Sequence, residues 1–117
     1  MSRRLKEFHE FRTKMNEAII DRNNRAIKRM FSLDTLTYEP GALDTKTKEL
    51  LGLVTSTVLR CDDCITYHIE RCWENGWKSD EILEAMSVAL TVGGTIVIPH
   101  LRRAVALLEE LENETKA

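Results

Sequence analysis

Apolar residues return at helical spacing along most of the chain. Leu5, Phe8, Phe11, Met15, Ile19, Ala26 and Met30 recur about once per turn, which predicts one long amphipathic helix over residues 3–31. Such an arm could pack on its own chain or lie on a neighbouring subunit. The stretch SLDTLTYEPGALD follows, with Pro40-Gly41 as a turn signal; residues 32–43 are read as the one substantial connection. Asp44 then suits an N-cap for a helix over 45–59. A further helix is expected just after Cys61, with Asp62 and Asp63 in its first turn, where carboxylates suit the dipole. It runs to about Asn75, where Gly76 fits a C-terminal cap. Ser79 is read as the cap of the next helix, DEILEAMSVALTV. Gly93-Gly94 interrupts it, by close packing at a helix junction or to let a ligand approach. A last helix over 95–113 tolerates Pro99 in its first turns, and the tail NETKA is expected to fray.

No alternating strand pattern competes, since TIVIP is short and isolated. The expected class is all-α, a helical bundle within a single domain over 1–117, with 1–31 as its N-terminal arm.

Composition narrows the partners. Of 117 residues, 43% are hydrophobic and 31% charged, with a net charge of −2. A core can be built, most helices keep a wet face, and a general affinity for nucleic acid or an anionic membrane is not expected. No apolar run approaches the roughly 20 residues of a membrane span. The N-terminus lacks the apolar stretch of a signal peptide, and Glu7 and Glu10 speak against a transit peptide. A cytoplasmic location is therefore expected, where a CxxC pair points to redox or metal chemistry rather than a structural disulfide.

All three cysteines fall in CDDCITYHIERC, residues 61–72. Cys61 and Cys64 stand three apart at a helix start, which favours thiolate on whichever sulfur lies nearer the free N–H groups. His68 lies one turn after Cys64 on the same face. An imidazole there can take or return the thiol proton, the minimum for covalent thiol chemistry. Zinc is the alternative. A set of Cys61, Cys64, His68 and Cys72 conflicts with a continuous helix, which separates Cα64 from Cα72 by about 12 Å. A three-ligand site of Cys61, Cys64 and His68 stays open, though no metal or cofactor is expected. Cys72 beside Trp73 reads as buried packing, and Trp73 and Trp77 as core or subunit-contact residues. Glu49, flanked by Leu50 and Leu51, reads on its own as a helix charge at the edge of a buried face. His9, His100 and the Arg102-Arg103 pair read as solvated or packed side chains.

The pattern E-x11-C-x2-C-x3-H, formed by Glu49, Cys61, Cys64 and His68, resembles the signature of alkylhydroperoxidase D, within the carboxymuconolactone decarboxylase superfamily. The stretches GALDTKTKELLGLVTSTVLRCDDCITYHI and ENGWKSDEILEAMSVALTVGG carry the resemblance further, over residues 36–112. It implies an all-α fold that assembles as a homotrimer or homohexamer. It also implies a thiol peroxidase or disulfide reductase supplied by a dithiol donor or a redox partner protein. Cys64 would then attack, Cys61 would resolve, and His68 with Glu49 would relay the proton. One position departs from the pattern: Asp63 stands where the alkylhydroperoxidase has a histidine, and an acid there disfavours the thiolate. Two other readings remain. A decarboxylase acting on a lactone acid would have no need of the CxxC pair, and a non-enzymatic redox sensor would oxidise once without turning over.

Overall fold

The computed structural model describes residues 2–116. Six α-helices follow in order: α1 (Arg3–Asp21), α2 (Arg25–Thr37), α3 (Thr45–Leu59), α4 (Asp62–Glu74), α5 (Ser79–Gly93) and α6 (Ile98–Lys116), with a single 3₁₀ turn at Thr95–Val97 before the last. No strand occurs among the described residues, so the class is all-α. No helix is long and apolar enough to cross a membrane.

The expected helix over 3–31 is in fact two. Asn23 adopts a left-handed φ of 58°, and the Asn24 side chain accepts the Ile27 N–H at 3.0 Å. Asparagine tolerates left-handed backbone and caps well. The two together end one helix and start the next without disturbing the apolar spacing, so periodicity could not see the break. For the same reason α2 runs on to Thr37, and the connection shortens to residues 38–44. Residues 113–116 continue α6 rather than fraying; Ala117 lies outside the described residues.

Elsewhere the caps sit where the residue types place them. Asp44 accepts the Thr47 N–H at 2.7 Å. Gly76 takes a φ of 90°, and Trp77 N–H closes onto the Cys72 carbonyl at 3.0 Å. Ser79 is the first residue of α5 and Lys78 its cap; the Glu81 carboxylate accepts the Lys78 N–H at 2.8 Å. Gly93 lies against Val97, which a Cβ would meet at 2.7 Å, so this junction is one of close packing.

The core gathers Leu53 from α3, Ile65, Ile69 and Cys72 from α4, Ile82 and Met86 from α5, and Leu107, Leu108 and Leu111 from α6. Trp73 and Trp77 pack against it, and the Trp77 indole donates to the Lys46 carbonyl at 2.9 Å. From α1 only Leu5 is buried, and from α2 no residue is. α3 and α4 pack side by side across a tight turn in which Arg60 takes a left-handed φ of 61°. That turn brings the middle of α3 against the first turns of α4.

Candidate functional site

Cys61 is the N-cap of α4, and its sulfur accepts the Cys64 N–H at 3.2 Å. The two cysteines are joined as a disulfide, with their Cα atoms 5.2 Å apart. Cys64 is exposed, and Cys61 less so. The free N–H of the helix start is thus turned to the Cys61 sulfur, while Cys64 is the sulfur open to a reactant.

One turn on, His68 is only 9% exposed. Its Nδ1 meets Glu49 Oε1 at 2.8 Å. Glu49 itself is 1% exposed, a far deeper burial than its sequence context alone suggests. A carboxylate is held in such a place only when its oxygens are partnered. The second oxygen, Oε2, receives the Arg71 Nε at 3.4 Å, and Arg71 also donates to Glu74 at 2.9 Å. Because a carboxylate only accepts, the hydrogen on the ring belongs at Nδ1, and Nε2 is left with its lone pair. Glu49 and His68 therefore meet within one chain, with Nε2 on the side of the ring away from the carboxylate.

The other face of the ring is closed by two tyrosines. The Tyr38 hydroxyl lies 3.4 Å from His68 Nε2, and Tyr67 packs edge-on to the imidazole with centroids 5.2 Å apart. The Arg12 guanidinium sits 4.4 Å over the Tyr67 ring. Burial pushes both phenols up from their ordinary range, and the Glu49 charge adds to the shift. For Arg71, burial pulls downward, but Tyr67, Glu49 and Glu74 outweigh it and hold the guanidinium more firmly protonated.

Tyr38, Tyr67 and Arg71, together with Gly52, escape the sequence reading. Arg71 shares a helical face with His68 at i+3, a signal that was present. Gly52, a glycine within a helical pattern, also leaves a trace, because such a residue costs about 1 kcal/mol against alanine unless packing requires it. A Cβ at position 52 would come within 2.6 Å of the Tyr38 hydroxyl and 2.7 Å of His68 Cε1, so the glycine makes the space in which the two side chains meet. Tyr38 lies in a connecting segment, where no periodicity marks it.

Cys64 and His68 border a cavity of about 680 Å³. α1 supplies an apolar wall of Phe8, Phe11, Met15 and Ile19. Asp63 also borders it, directly beside Cys64. Cys72 belongs to the core, and burial, with the Glu49 charge adding, pushes its thiol up to about 12. Among the described residues no group of three or more His, Cys, Asp and Glu side chains is arranged to hold a metal ion. The remaining histidines tie helices together. His9 on α1 reaches Glu70 at 2.8 Å, and His100 on α6 holds Asp62 at 2.7 Å with Arg103 at 3.1 Å on its other oxygen.

A helical domain with a disulfide at a helix start, backed by a buried histidine–glutamate pair, defines a thiol-bearing all-α class. Residues 25–109 match the model of the carboxymuconolactone decarboxylase family, and the chain belongs to that family. A Thermotoga maritima protein of known structure is 58% identical, covers 95% of this chain and 97% of its own, and superposes with a TM-score of 0.92. A second Thermotoga maritima structure, 57% identical over 94% of this chain and 93% of its own with a TM-score of 0.90, is described as a family member for which a part in an antioxidative response is raised as a possibility. A family member from Legionella pneumophila, 24% identical over 93% of this chain and 97% of its own, shares the fold with a TM-score of 0.82. Uncharacterized protein 4 in the cox locus of Paracoccus denitrificans is 30% identical over 81 residues, spanning 69% of this chain and 73% of its own.

Proposed function

We propose that the protein is a CxxC thiol peroxidase that also reduces disulfides, driven by a dithiol donor or a redox partner protein. One observation carries the reading. The exposed sulfur of Cys64, already paired with Cys61, shares a cavity with a histidine whose far nitrogen is anchored on a buried carboxylate. The antioxidative response raised as a possibility for the Thermotoga maritima family member agrees with it.

In the reduced protein His68 Nε2 takes the Cys64 proton, and Glu49 steadies the imidazolium that forms. The thiolate attacks one oxygen of a hydroperoxide. An S–O bond forms and the O–O bond breaks; the alcohol leaves with a proton from His68, and Cys64 is left as a sulfenic acid. The Cys61 thiolate then attacks the Cys64 sulfur, the S–S bond forms and water leaves. A dithiol donor returns both thiols by exchange and departs as its own disulfide. With a disulfide substrate, Cys64 attacks sulfur instead, and Cys61 resolves the mixed disulfide. The apolar α1 wall favours an organic hydroperoxide over hydrogen peroxide, since the cavity falls within the roughly 300–1,000 Å³ of small-molecule sites.

Assembly belongs to the same reading. Phe11, Met30, Leu33 and Leu36 on α1 and α2, with Val88, Val92 and Ile96 further on, are exposed, and large exposed apolar patches mark interaction sites. A homotrimer or homohexamer would cover them.

Steady-state turnover with cumene hydroperoxide, hydrogen peroxide and dithiothreitol tests the chemistry. Cys64→Ser should abolish turnover, and Cys61→Ser should permit a single oxidation and no cycle. Wild-type turnover by Cys64→Ser would sink the reading and leave the Glu49–His68 pair to acid–base chemistry of the decarboxylase kind.

A further inference from the structure

The segment that carries Tyr38 is fixed more firmly than a surface connection requires. The Tyr38 carbonyl accepts the Thr45 hydroxyl at 2.8 Å. On either side of it, the Lys48 ammonium donates to the Thr37 carbonyl at 2.9 Å and to the Glu39 carbonyl at 2.7 Å. Thr45 and Lys48 both belong to α3, the helix that also supplies Glu49. The backbone of Tyr38 is thus pinned to the element that anchors His68. Its hydroxyl reaches the ring through the gap left by Gly52, on that same helix.

The chemistry of His68 gives this arrangement a use. Nδ1 is committed to Glu49. Nε2 must be bare before it takes a proton and carries a hydrogen afterwards, and in a ring this buried either state needs a partner. A hydroxyl is one of the few groups that serves both, donating to a lone pair and accepting from an N–H by turning about its C–O bond. The charged and titratable groups gathered around the pair are Asp34 from α2, Glu49 from α3, and Tyr67 and Arg71 from α4, with Arg12 from α1 over Tyr67. Glu49 and Arg71 are committed to the Nδ1 side, and Tyr67 meets the ring by its edge. Among the hydrogen bonds of the described residues, Tyr38 supplies the contact to Nε2.

We infer that Tyr38 is a positioning residue for His68. Its hydroxyl donates to Nε2 until the Cys64 proton arrives, turns aside to free that lone pair, and then accepts from the new N–H, and so holds the ring on line between transfers. This role rests on the thiol-peroxidase reading for its use, though the contact itself can be tested without turnover.

The test pairs Tyr38→Phe with Gly52→Ala. Phenylalanine keeps the ring and removes only the hydroxyl; alanine drives a methyl between hydroxyl and imidazole. Long-range proton–nitrogen spectra of the oxidised protein report the state of each ring nitrogen of His68. In Tyr38→Phe the Nε2 resonance should move away from its wild-type position while the Glu49-bound Nδ1 keeps its own; in Gly52→Ala, whose methyl would also press on His68 Cε1, both should move. In turnover, Tyr38→Phe should lower kcat by about tenfold, the equivalent of leaving one buried polar atom unpartnered, with KM for cumene hydroperoxide within about twofold. An unchanged Nε2 resonance overturns the inference, whatever happens to the rate, because Tyr38 would then not act through His68. A shifted resonance with wild-type kcat overturns the positioning role. Should the wild-type protein itself fail to turn over, the peroxidase reading falls, and the nitrogen spectra alone decide whether Tyr38 partners His68.

Discussion

The α3–α4 pair and the α1–α2 pair each depart from the usual order of polar outside and apolar inside, in opposite senses. On α3 and α4 a carboxylate and an imidazole are buried, and their polar atoms are matched one by one. On α1 and α2 aromatic and aliphatic side chains stand in solvent, Phe11 at 68% and Met30 at 64% exposure. Burying a charge costs several kcal/mol before its partners repay it, and exposing large apolar surface forgoes about 25 cal/mol per Å². Both departures from the usual order need a reason beyond folding the single chain. On the proposed reading, chemistry supplies it in the first region, and in the second a surface awaiting substrate or a neighbouring copy. On that reading, polar burial marks the reacting groups, and apolar exposure marks what meets other molecules.

The sharpest way to break the contrast is to attack the rate from each side. Glu49→Gln should lower turnover by on the order of 10²–10⁴-fold, the usual range for losing acid–base support. Phe11→Ala on the cavity wall should leave turnover of hydrogen peroxide near wild type and raise KM for cumene hydroperoxide. Equal losses in both variants, read from steady-state kinetics, would erase the division between relay and wall.

Stability offers a second comparison. Leu53 is fully buried, and Leu53→Ala should cost about 2–5 kcal/mol in denaturant unfolding, the range for large-to-small changes in a packed core. Leu36→Asp, on the exposed face of α2, should leave the folded chain intact but lower the mass seen by light scattering. A wild-type particle near 13.5 kDa at all working concentrations would contradict an assembly.

Smaller effects sharpen the site. Asp63 places a negative charge next to Cys64, and Asp63→Asn should speed iodoacetamide labelling of reduced Cys64 a few-fold. An unchanged labelling rate would mean that solvent screens this exposed charge.

The smallest difference concerns alkaline stability. The Cys72 thiol is raised from 9.0 to about 12 in the folded chain. A raised folded value favours the protonated form, so its contribution is whole below pH 9 and is lost as pH climbs from 9 towards 12. Cys72→Ala should keep near wild-type activity, and its stability should fall less than wild type's over that window. Parallel unfolding curves of the two proteins at pH 9 and pH 11 would show no such contribution.

The helix over 45–59 was legible from its Asp44 cap, and the one from Cys61 to about 75 from its acidic first turn and its Gly76 stop. The break at Asn23-Asn24 was not, because the apolar spacing runs through it and only the backbone turns. Among the site residues, Cys61, Cys64 and His68 could be grouped from their own spacing. Glu49 needed the resemblance, since a helix glutamate between Lys48 and Leu50 carries no local sign that it will be buried. Tyr38 was beyond reach, and Gly52 left only the trace of a glycine inside a helix, for a different reason. Their importance lies in a meeting of three segments, and sequence distance says nothing about which side chains close the same gap.

Cys72 has one more consequence. A thiol with no exposure and little tendency to ionise is silent to labelling reagents while the chain is folded. The two sulfurs of the disulfide, once reduced, answer at once. The third answers only when the core around α4 opens, so its labelling rate at low reagent is the rate of an exposed thiol multiplied by the fraction of time the native core stands open. The molecule thus carries its own clock for breathing, set deep in its interior and readable by mass without any added probe.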